Sequence, residues 1–349
     1  VQFDITIGNP PLRAVPEIVR RAEEIGFDAL WVPEMRGNAS LPLAVAAVTS
    51  ERIRLGTSIA LAFVRSPMVT ALDAWRLAEA SAGRFILGLG TQVKAHNQRR
   101  YSVPFEHPGP KLREQVLALR HIWGAFQGEH ELQFRGTYYR FDYLPPIWNP
   151  GPIAHPRVPV FIAAVGAYMC RIAGEIGDGV HVHPFHTVKY LREVMVPAIA
   201  AGAASAGRDP ASVELSASLF VVTGGTPAER EAMRQQVRAQ IGFYGATRTY
   251  EPVFAVHGWS GLTAQLQRHV RNGGWDTVGD LVPDEVLDAF AITCDWDEIP
   301  AAVYARYGPL LHRVSLYEFG QLSWMREPER WARLVRGFAA LPRAGRRSS

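Results

Sequence analysis

The strongest constraint in this chain is an alternation. Short apolar runs, each too short for a helix, are separated by segments whose apolar residues recur at helical spacing. The strand-like runs are Val1 to Ile7, Ala29 to Val32, Ile53 to Leu61, Phe85 to Leu89, Val160 to Ala163, Gly179 to Val182, Val213 to Val222 and Val314 to Tyr317. Between the first two, Val15, Ile18, Val19, Ala22 and Ile25 share one helical face, and Gly26 follows as a stop. Further helices are expected over 41–50, 67–81, 111–126, 167–176, 188–206, 227–243, 297–307 and 328–340. Parallel strands need crossovers, the crossovers are right-handed, and eight such units close into a ring. The expected fold is one (β/α)8 TIM barrel of the α/β class. A doubly wound open sheet is the alternative.

Two stretches break the alternation, about 92–159 and about 244–292. The first is polar and proline-punctuated, carries a hairpin pattern over Leu132 to Tyr143, and passes through Pro145-Pro146 and Pro150. Long structured insertions of this kind serve as lids or binding walls. The end of the chain, about 342–349 with Arg343, Arg346 and Arg347, is expected to be a flexible, solvated tail.

Composition removes several function classes. The 349 residues are 48% hydrophobic, enough for a large core. The net charge is +4, but no basic run is interleaved with aromatics, which argues against nucleic acid. A mildly basic chain suits an anionic small ligand. Cys170 and Cys294 lie in neither a Cys-x-x-Cys nor a zinc spacing, so free thiols in a reducing compartment are expected. No apolar run is long enough to cross a bilayer, and Val1 to Ile7 alternates like a strand, unlike a signal peptide. A cytoplasmic protein with no membrane partner is the expectation.

In a barrel the site forms where the strands end. Those ends deliver Glu34 after strand two, Ser58, Ile59 and Ala60 in strand three, and Thr91, Gln92 and His96 after strand four. Ala164, Val165, Gly166 and Ala167 follow strand five, and His181, His183 and His186 follow strand six. Gly88 and Gly90 strip side chains from the end of strand four, which lets a flat or anionic group approach the backbone. The small strand-five loop enters a helix whose first N–H groups can hold a phosphate, although a tight turn also asks for small residues. Lys94, Arg99 and Arg100 can add charge for an anionic ligand or lie in an ordinary solvated loop. His181 and His183 alternate on one face and can share a zinc, but Glu34 is the only acidic group evident among the other early strand ends. A cofactor or substrate wall is the preferred role for His181, and no metal is expected.

Several chemistries lack their residues. Gly88-Leu89-Gly90 is followed by Val93 where a dinucleotide fingerprint needs its third glycine. There is no Gly-x-Ser-x-Gly elbow and no Gly-Lys-Thr or Gly-Lys-Ser phosphate loop. Without a nucleophile and its base, the chemistry is expected to reside on a bound cofactor.

The runs Ala22-Glu23-Glu24-Ile25-Gly26-Phe27-Asp28-Ala29-Leu30-Trp31-Val32, Arg52-Ile53-Arg54-Leu55-Gly56-Thr57-Ser58 and Ser81-Ala82-Gly83-Arg84-Phe85-Ile86-Leu87-Gly88-Leu89-Gly90 resemble the bacterial luciferase-like monooxygenases and deazaflavin-dependent oxidoreductases. So do Phe161-Ile162-Ala163-Ala164-Val165-Gly166 and Ala173-Gly174-Glu175-Ile176-Gly177-Asp178-Gly179-Val180. The run Gly90 to His96, with His181 to His186, is similar to the coenzyme F-420-dependent branch. The resemblance implies a barrel with insertions, often a homodimer, with a deazaflavin or flavin ring in its mouth. It implies a bulge with a non-proline cis peptide at Ser58-Ile59 backing the ring and a phosphate loop at Ala164 to Ala167. Thr91, Gln92 and His96 become ring-edge or ribityl contacts.

The family's sugar-phosphate dehydrogenases end strand two in Asp-His and place a glutamate after strand four. Here Glu34-Met35 and Val93 stand there, so hexose-phosphate oxidation by that route is not expected. Glu34, His181 and His96 are the candidate proton-handling residues, and Tyr101 and Trp148 are candidate pocket walls. The expected activity is hydride transfer between coenzyme F-420 and a small organic substrate, leaning towards reduction. The alternative is an FMN-dependent monooxygenase using oxygen. A non-catalytic binder or a metal hydrolase at His181 and His183 are the non-redox rivals.

Overall fold

Strand one closes the ring. Its first piece, Gln2–Phe3, pairs with strand eight (Gln2 with Arg313, Phe3 with Val314), and its second, Ile5–Thr6, pairs with strand two (Ile5 with Leu30). The remaining strands are Ala29–Val32, Arg54–Thr57 continued by Ala60–Leu61, Phe85–Gly90, Val160–Ala164, Gly179–Val182, Glu214–Val222 and Arg313–Leu316. Every neighbouring pair is parallel, in ring order, so the computed structural model has the closed eight-stranded barrel that the alternation requires. It describes residues 1–319 and 322–342. Arg343, Arg346 and Arg347 lie outside the described residues.

The helices form where their apolar faces require. Val15–Ile25 buries the five residues of its apolar stripe, and Gly26 ends it in the left-handed region at φ 98°. Pro67–Ala80 starts after Ser66, whose hydroxyl accepts the Val69 N–H. Most buried apolar side chains lie between the strands and the helix ring. A second, small cluster of Ala29, Trp31, Ile86 and Phe161 fills the barrel itself. Trp31 fits because Gly56 leaves the room: a Cβ there would lie 2.2 Å from the indole. Below it, Arg313 and Asp4 make two hydrogen bonds of 2.8 and 2.9 Å, and Asp4 also accepts the Trp31 indole N–H.

The structure departs from the sequence expectation in two places. The stretch 188–206 is one helical path interrupted by a wider turn at Leu191–Met195. Strand seven is long enough for its end to leave the ring, and Phe220, Val221 and Val222 pair with a further parallel strand, Ala291–Thr293. That strand falls at the edge of the second insertion, which is otherwise helical (Glu251–Ala255, Leu262–Arg271 and Asp284–Phe290). Three residues emerging straight from a helix carry no period of their own, so the sequence pattern does not reveal them. Among the described residues no helix is long and apolar enough to cross a membrane.

Candidate active site

Strand three bulges where the site begins. Gly56 pairs with Ile86 and Ala60 with Leu89, so strand three advances four residues while strand four advances three. The Ser58–Ile59 peptide inside the bulge is cis. The interrupted ladder is replaced by side chains. Thr57 Oγ1 donates to the Gly88 carbonyl (2.7 Å) and accepts the Gly88 N–H (2.8 Å). Behind the bulge, Glu34 accepts the Leu61 N–H at 2.8 Å and an Arg65 N–H at 2.9 Å, while its other oxygen takes the second arm of the same guanidinium. The Glu34 N–H donates to the Ile59 carbonyl, and the Ser58 N–H to the Val32 carbonyl.

Glu34 is thus buried, with both oxygens occupied by a bidentate arginine. The pairing raises the Arg65 pKa, so the guanidinium stays charged. Both oxygens of Glu34 accept hydrogen bonds, and its geometry is that of a group positioning the bulge. Arg65 carries no motif, which is why the sequence offers Glu34 without its partner.

Ile59 and Gly90 make the floor. A Cβ on Gly90 would lie 2.7 Å from the Ile59 side chain and 3.2 Å from the Ala163 Cβ. Ile59, the Gly90 backbone and Ala163 therefore lie together as an uncharged surface at the ends of strands three to five. His181 lies beneath it. Its ring meets Trp31 edge-on at 4.8 Å and Phe161 at 5.4 Å, and its Nε2 would lie 2.7 Å from a Cβ on Gly88. Nε2 is covered and without a hydrogen-bond partner, and burial pushes the imidazole down to about 3, against a smaller opposing pull from the Thr57 carbonyl. The imidazole is neutral and packed into the barrel, one layer below the mouth where the sequence reading puts it.

The loop after strand four carries the exposed members of the set. Thr91 is half-buried, while Gln92 and His96 are exposed. Gln92 has φ 57° and accepts the Val93 N–H through its own side chain. Buried Asn97 pins the loop by donating to the Thr91 and Val93 carbonyls. Arg100 is tied to the Met35 carbonyl, joining this loop to the one after strand two, whereas Lys94 and Arg99 are exposed. Tyr101 stacks under the Arg100 guanidinium at 5.1 Å. Trp148 stands exposed on the surface, three residues before Gly151, whose carbonyl takes the Trp75 indole N–H.

At strand five, Ala164 is buried, and the helix Ala167–Ile176 begins after Gly166 with no side-chain cap. The first backbone bond of this turn is Cys170 N–H to the Gly166 carbonyl, so the N–H groups of Ala167, Tyr168 and Met169 take no bond from the helix. A Cβ on Gly166 would meet nothing within 4 Å, so there is open space beside the helix start.

The far wall comes from strands six to eight and the second insertion. Tyr250 bonds His183, and Tyr244 bonds Tyr317 at 2.9 Å. None of these tyrosines is marked by a sequence motif. His186 turns away from His183: its Nδ1 bonds the His183 carbonyl and its ring packs on Tyr307. Among the described residues no three His, Cys, Asp or Glu side chains gather as a metal site. Glu318, just past strand eight, is a titratable group the sequence did not single out. Burial pushes its carboxyl up to about 7.

A sequence profile of the luciferase-like monooxygenase family matches residues 2–313, and the chain belongs to that family. The fold and this match define an enzyme of the luciferase-like class. An uncharacterized protein of Mycobacterium tuberculosis is 41% identical over 314 residues, covering 90% of this chain and 92% of its own. The 5,10-methylenetetrahydromethanopterin reductase of Methanolobus tindarius is 29% identical over 301 residues, 85% of this chain and 87% of the relative. Among solved structures, the coenzyme F-420-dependent tetrahydromethanopterin reductase from Methanopyrus kandleri aligns with a TM-score of 0.74 at 22% identity, over 97% of each chain, which shows the shared barrel.

Proposed function

We propose that this protein is an oxidoreductase that transfers a hydride between coenzyme F-420 and a small organic substrate, with reduction of the substrate as its direction. The observation that carries the reading is the uncharged floor of Ile59, Gly90 and Ala163 beside an uncapped helix start. The residues fit a planar tricycle with a phosphorylated side chain. The floor has no side chain at Gly90 to lift the ring. The N–H groups of Ala167, Tyr168 and Met169 take no bond from the helix, and an anion beside them gains from the helix dipole. When bound, the deazaflavin supplies the hydride chemistry at its C5.

The chain's own residues position and enclose. Ser58, Ile59 and Ala60 back the ring, with Glu34 and Arg65 holding them from behind. Ala164, Val165, Gly166 and Ala167 receive the phosphate. Thr91, Gln92 and His96 border the ring edge and side chain, and exposed His96 is the one of the three candidate proton-handling residues that a ligand reaches directly. His181 supports the floor from below. The 29% identity to a methylenetetrahydromethanopterin reductase favours reduction of the substrate. The second reading, FMN with oxygen, is favoured by the family itself, which is described as monooxygenases. We further read the protein as a homodimer.

Titration with coenzyme F-420 and with FMN, each oxidised and reduced, followed by tryptophan quenching, separates these. The expected result is micromolar or tighter F-420 binding with FMN at least tenfold weaker. A preference for reduced FMN turns the reading to oxygen chemistry, and binding of neither removes both.

A further inference from the structure

The hydrogen-bond polarity along one wall of the mouth reveals a donor with nothing to donate to. His183 follows His181 by two residues at the end of strand six, so it continues the inward-facing alternation one step closer to the mouth. The Phe185 N–H donates to His183 Nδ1 at 3.1 Å. That nitrogen must present its lone pair, so the neutral ring carries its proton on Nε2. Burial keeps the ring neutral, with its pKa pushed down to about 3, and neighbouring His186 pushes the same way. Nε2 lies 3.1 Å from the Tyr250 hydroxyl oxygen and therefore donates to it.

Tyr250 is left as an acceptor from His183 with its own O–H proton unused. It makes no other side-chain hydrogen bond among the described residues. Burial pushes its pKa up to about 12, so the proton stays on. The ring is held on three sides, by His183 at 4.6 Å, Phe185 at 5.6 Å and Tyr244 at 6.1 Å. It arrives on the turn Arg248–Tyr250 of the second insertion, over the ends of strands six to eight. The floor and the helix start belong to strands three to five, so this wall faces them across the mouth.

We propose that Tyr250 donates a hydrogen bond to the substrate's acceptor atom, with His183 as the residue that positions it, and that the substrate therefore carries a carbonyl or imine group at the reacting end. This rests on the hydride-transfer reading for the reaction but not for the binding. An alkene without a conjugated acceptor would leave the donor unsatisfied, so the site selects against it. As negative charge grows on the acceptor atom, a preset donor in a water-poor site stabilises it. The hydride would add to the carbonyl or imine carbon, the C=O or C=N pair would move onto the acceptor atom, and solvent would supply the proton that atom takes up, while Tyr250 keeps its own proton and contributes the hydrogen bond.

The test uses cyclohexanone labelled with carbon-13 at the carbonyl, 1-pyrroline and cyclohexene as probes, on wild type, Tyr250→Phe, His183→Gln and His183→Phe. Glutamine can accept from Phe185 and donate to Tyr250 as histidine does; phenylalanine can do neither. The expected result is a downfield carbonyl shift of bound cyclohexanone in wild type and His183→Gln that is absent in Tyr250→Phe and much reduced in His183→Phe. Turnover of the ketone or imine with reduced F-420 should fall about 10²-fold in kcat for Tyr250→Phe, with the Kd for F-420 within twofold of wild type. Cyclohexene should be neither bound nor reduced. A carbonyl shift with no F-420 binding overturns the cofactor reading and supports the donor. Normal F-420 binding with no shift in wild type, or an unchanged shift and kcat in Tyr250→Phe, overturns the donor.

Discussion

Two glycines on strand four answer to different demands. Gly88 is a packing glycine: a Cβ there would lie 1.9 Å from the Thr57 carbonyl, a backbone atom that cannot move without the bulge. Gly90 is buried as well, but a Cβ there would meet the movable end of the Ile59 side chain at 2.7 Å and the Ala163 Cβ at 3.2 Å. Gly88→Ala is therefore expected to destabilise the fold by about 3 kcal/mol, at the upper end of overpacking costs. Gly90→Leu is expected to cost less stability than Gly88→Ala, because the end of Ile59 can shift where the Thr57 carbonyl cannot, while weakening cofactor binding at least tenfold, because the side chain would occupy the floor. Thermal unfolding and the F-420 titration on both variants check this. If Gly90→Leu loses stability and keeps binding, the floor is wrongly placed. The two residues look alike in sequence, as one Gly-x-Gly. Only the atoms opposite them separate a glycine that fits the fold from one that leaves room for a ligand. Glu34 is a similar case: the sequence marks it as a lone acid at a strand end, and Arg65 supplies the context that makes it a positioning group.

At the level of the element, strand six and the loop after it hold three imidazoles that cannot carry charge in the fold. Burial pushes His181 and His183 down to about 3 and His186 down to about 4, each from an ordinary value near 6.5. Between these values the unfolded chain binds protons the native state does not. Stability is then complete above pH 6.5 and is lost as pH falls towards 4, by up to about 1.4 kcal/mol per pH unit for each histidine. Urea unfolding at pH 7, 6 and 5 should show a steep fall in the midpoint, accompanied by proton uptake on unfolding. A midpoint that is flat from pH 7 to 5 would mean that these rings are solvated. The histidines were legible in the sequence as a cluster, but their roles were not. Period two puts His181 and His183 on one face and says nothing of the Trp31 edge that encloses one or the Phe185 N–H that sets the tautomer of the other. The eight strands were legible because each is an apolar run bounded by turn residues. Ala291–Thr293 was not, because its pairing depends on how far strand seven projects beyond the ring.

Over the whole molecule, the ends of strands three to five could be brought together from sequence because a barrel gathers its strand ends whatever else varies. The wall of Tyr244, Tyr250 and Tyr317 could not, since it is assembled by an insertion whose path no periodicity records. The same limit hid a feature of the outer surface. The helix Ser40–Thr49 contains no charged residue, yet Leu41 and Val48 are 54% and 72% exposed on it. Exposed Val69 lies on the helix beside it, Pro67–Ala80. A surface helix normally turns a polar face to water, and one that is apolar all round is normally covered. A second copy of the chain, presenting the same apolar side chains, would cover Leu41, Val48 and Val69 with one two-fold contact. We therefore expect the wild type to sediment as a dimer at micromolar concentration. Leu41→Glu combined with Val48→Glu should sediment as a monomer, because two carboxylates per subunit would be forced into an apolar contact. Both positions point outward, so the double variant should keep its fold and its F-420 affinity. A wild-type monomer, or a double variant that remains dimeric, would place the covering partner elsewhere. A monomeric variant that loses F-420 affinity would mean that the dimer also supports the mouth, through the bulge that packs behind these two helices.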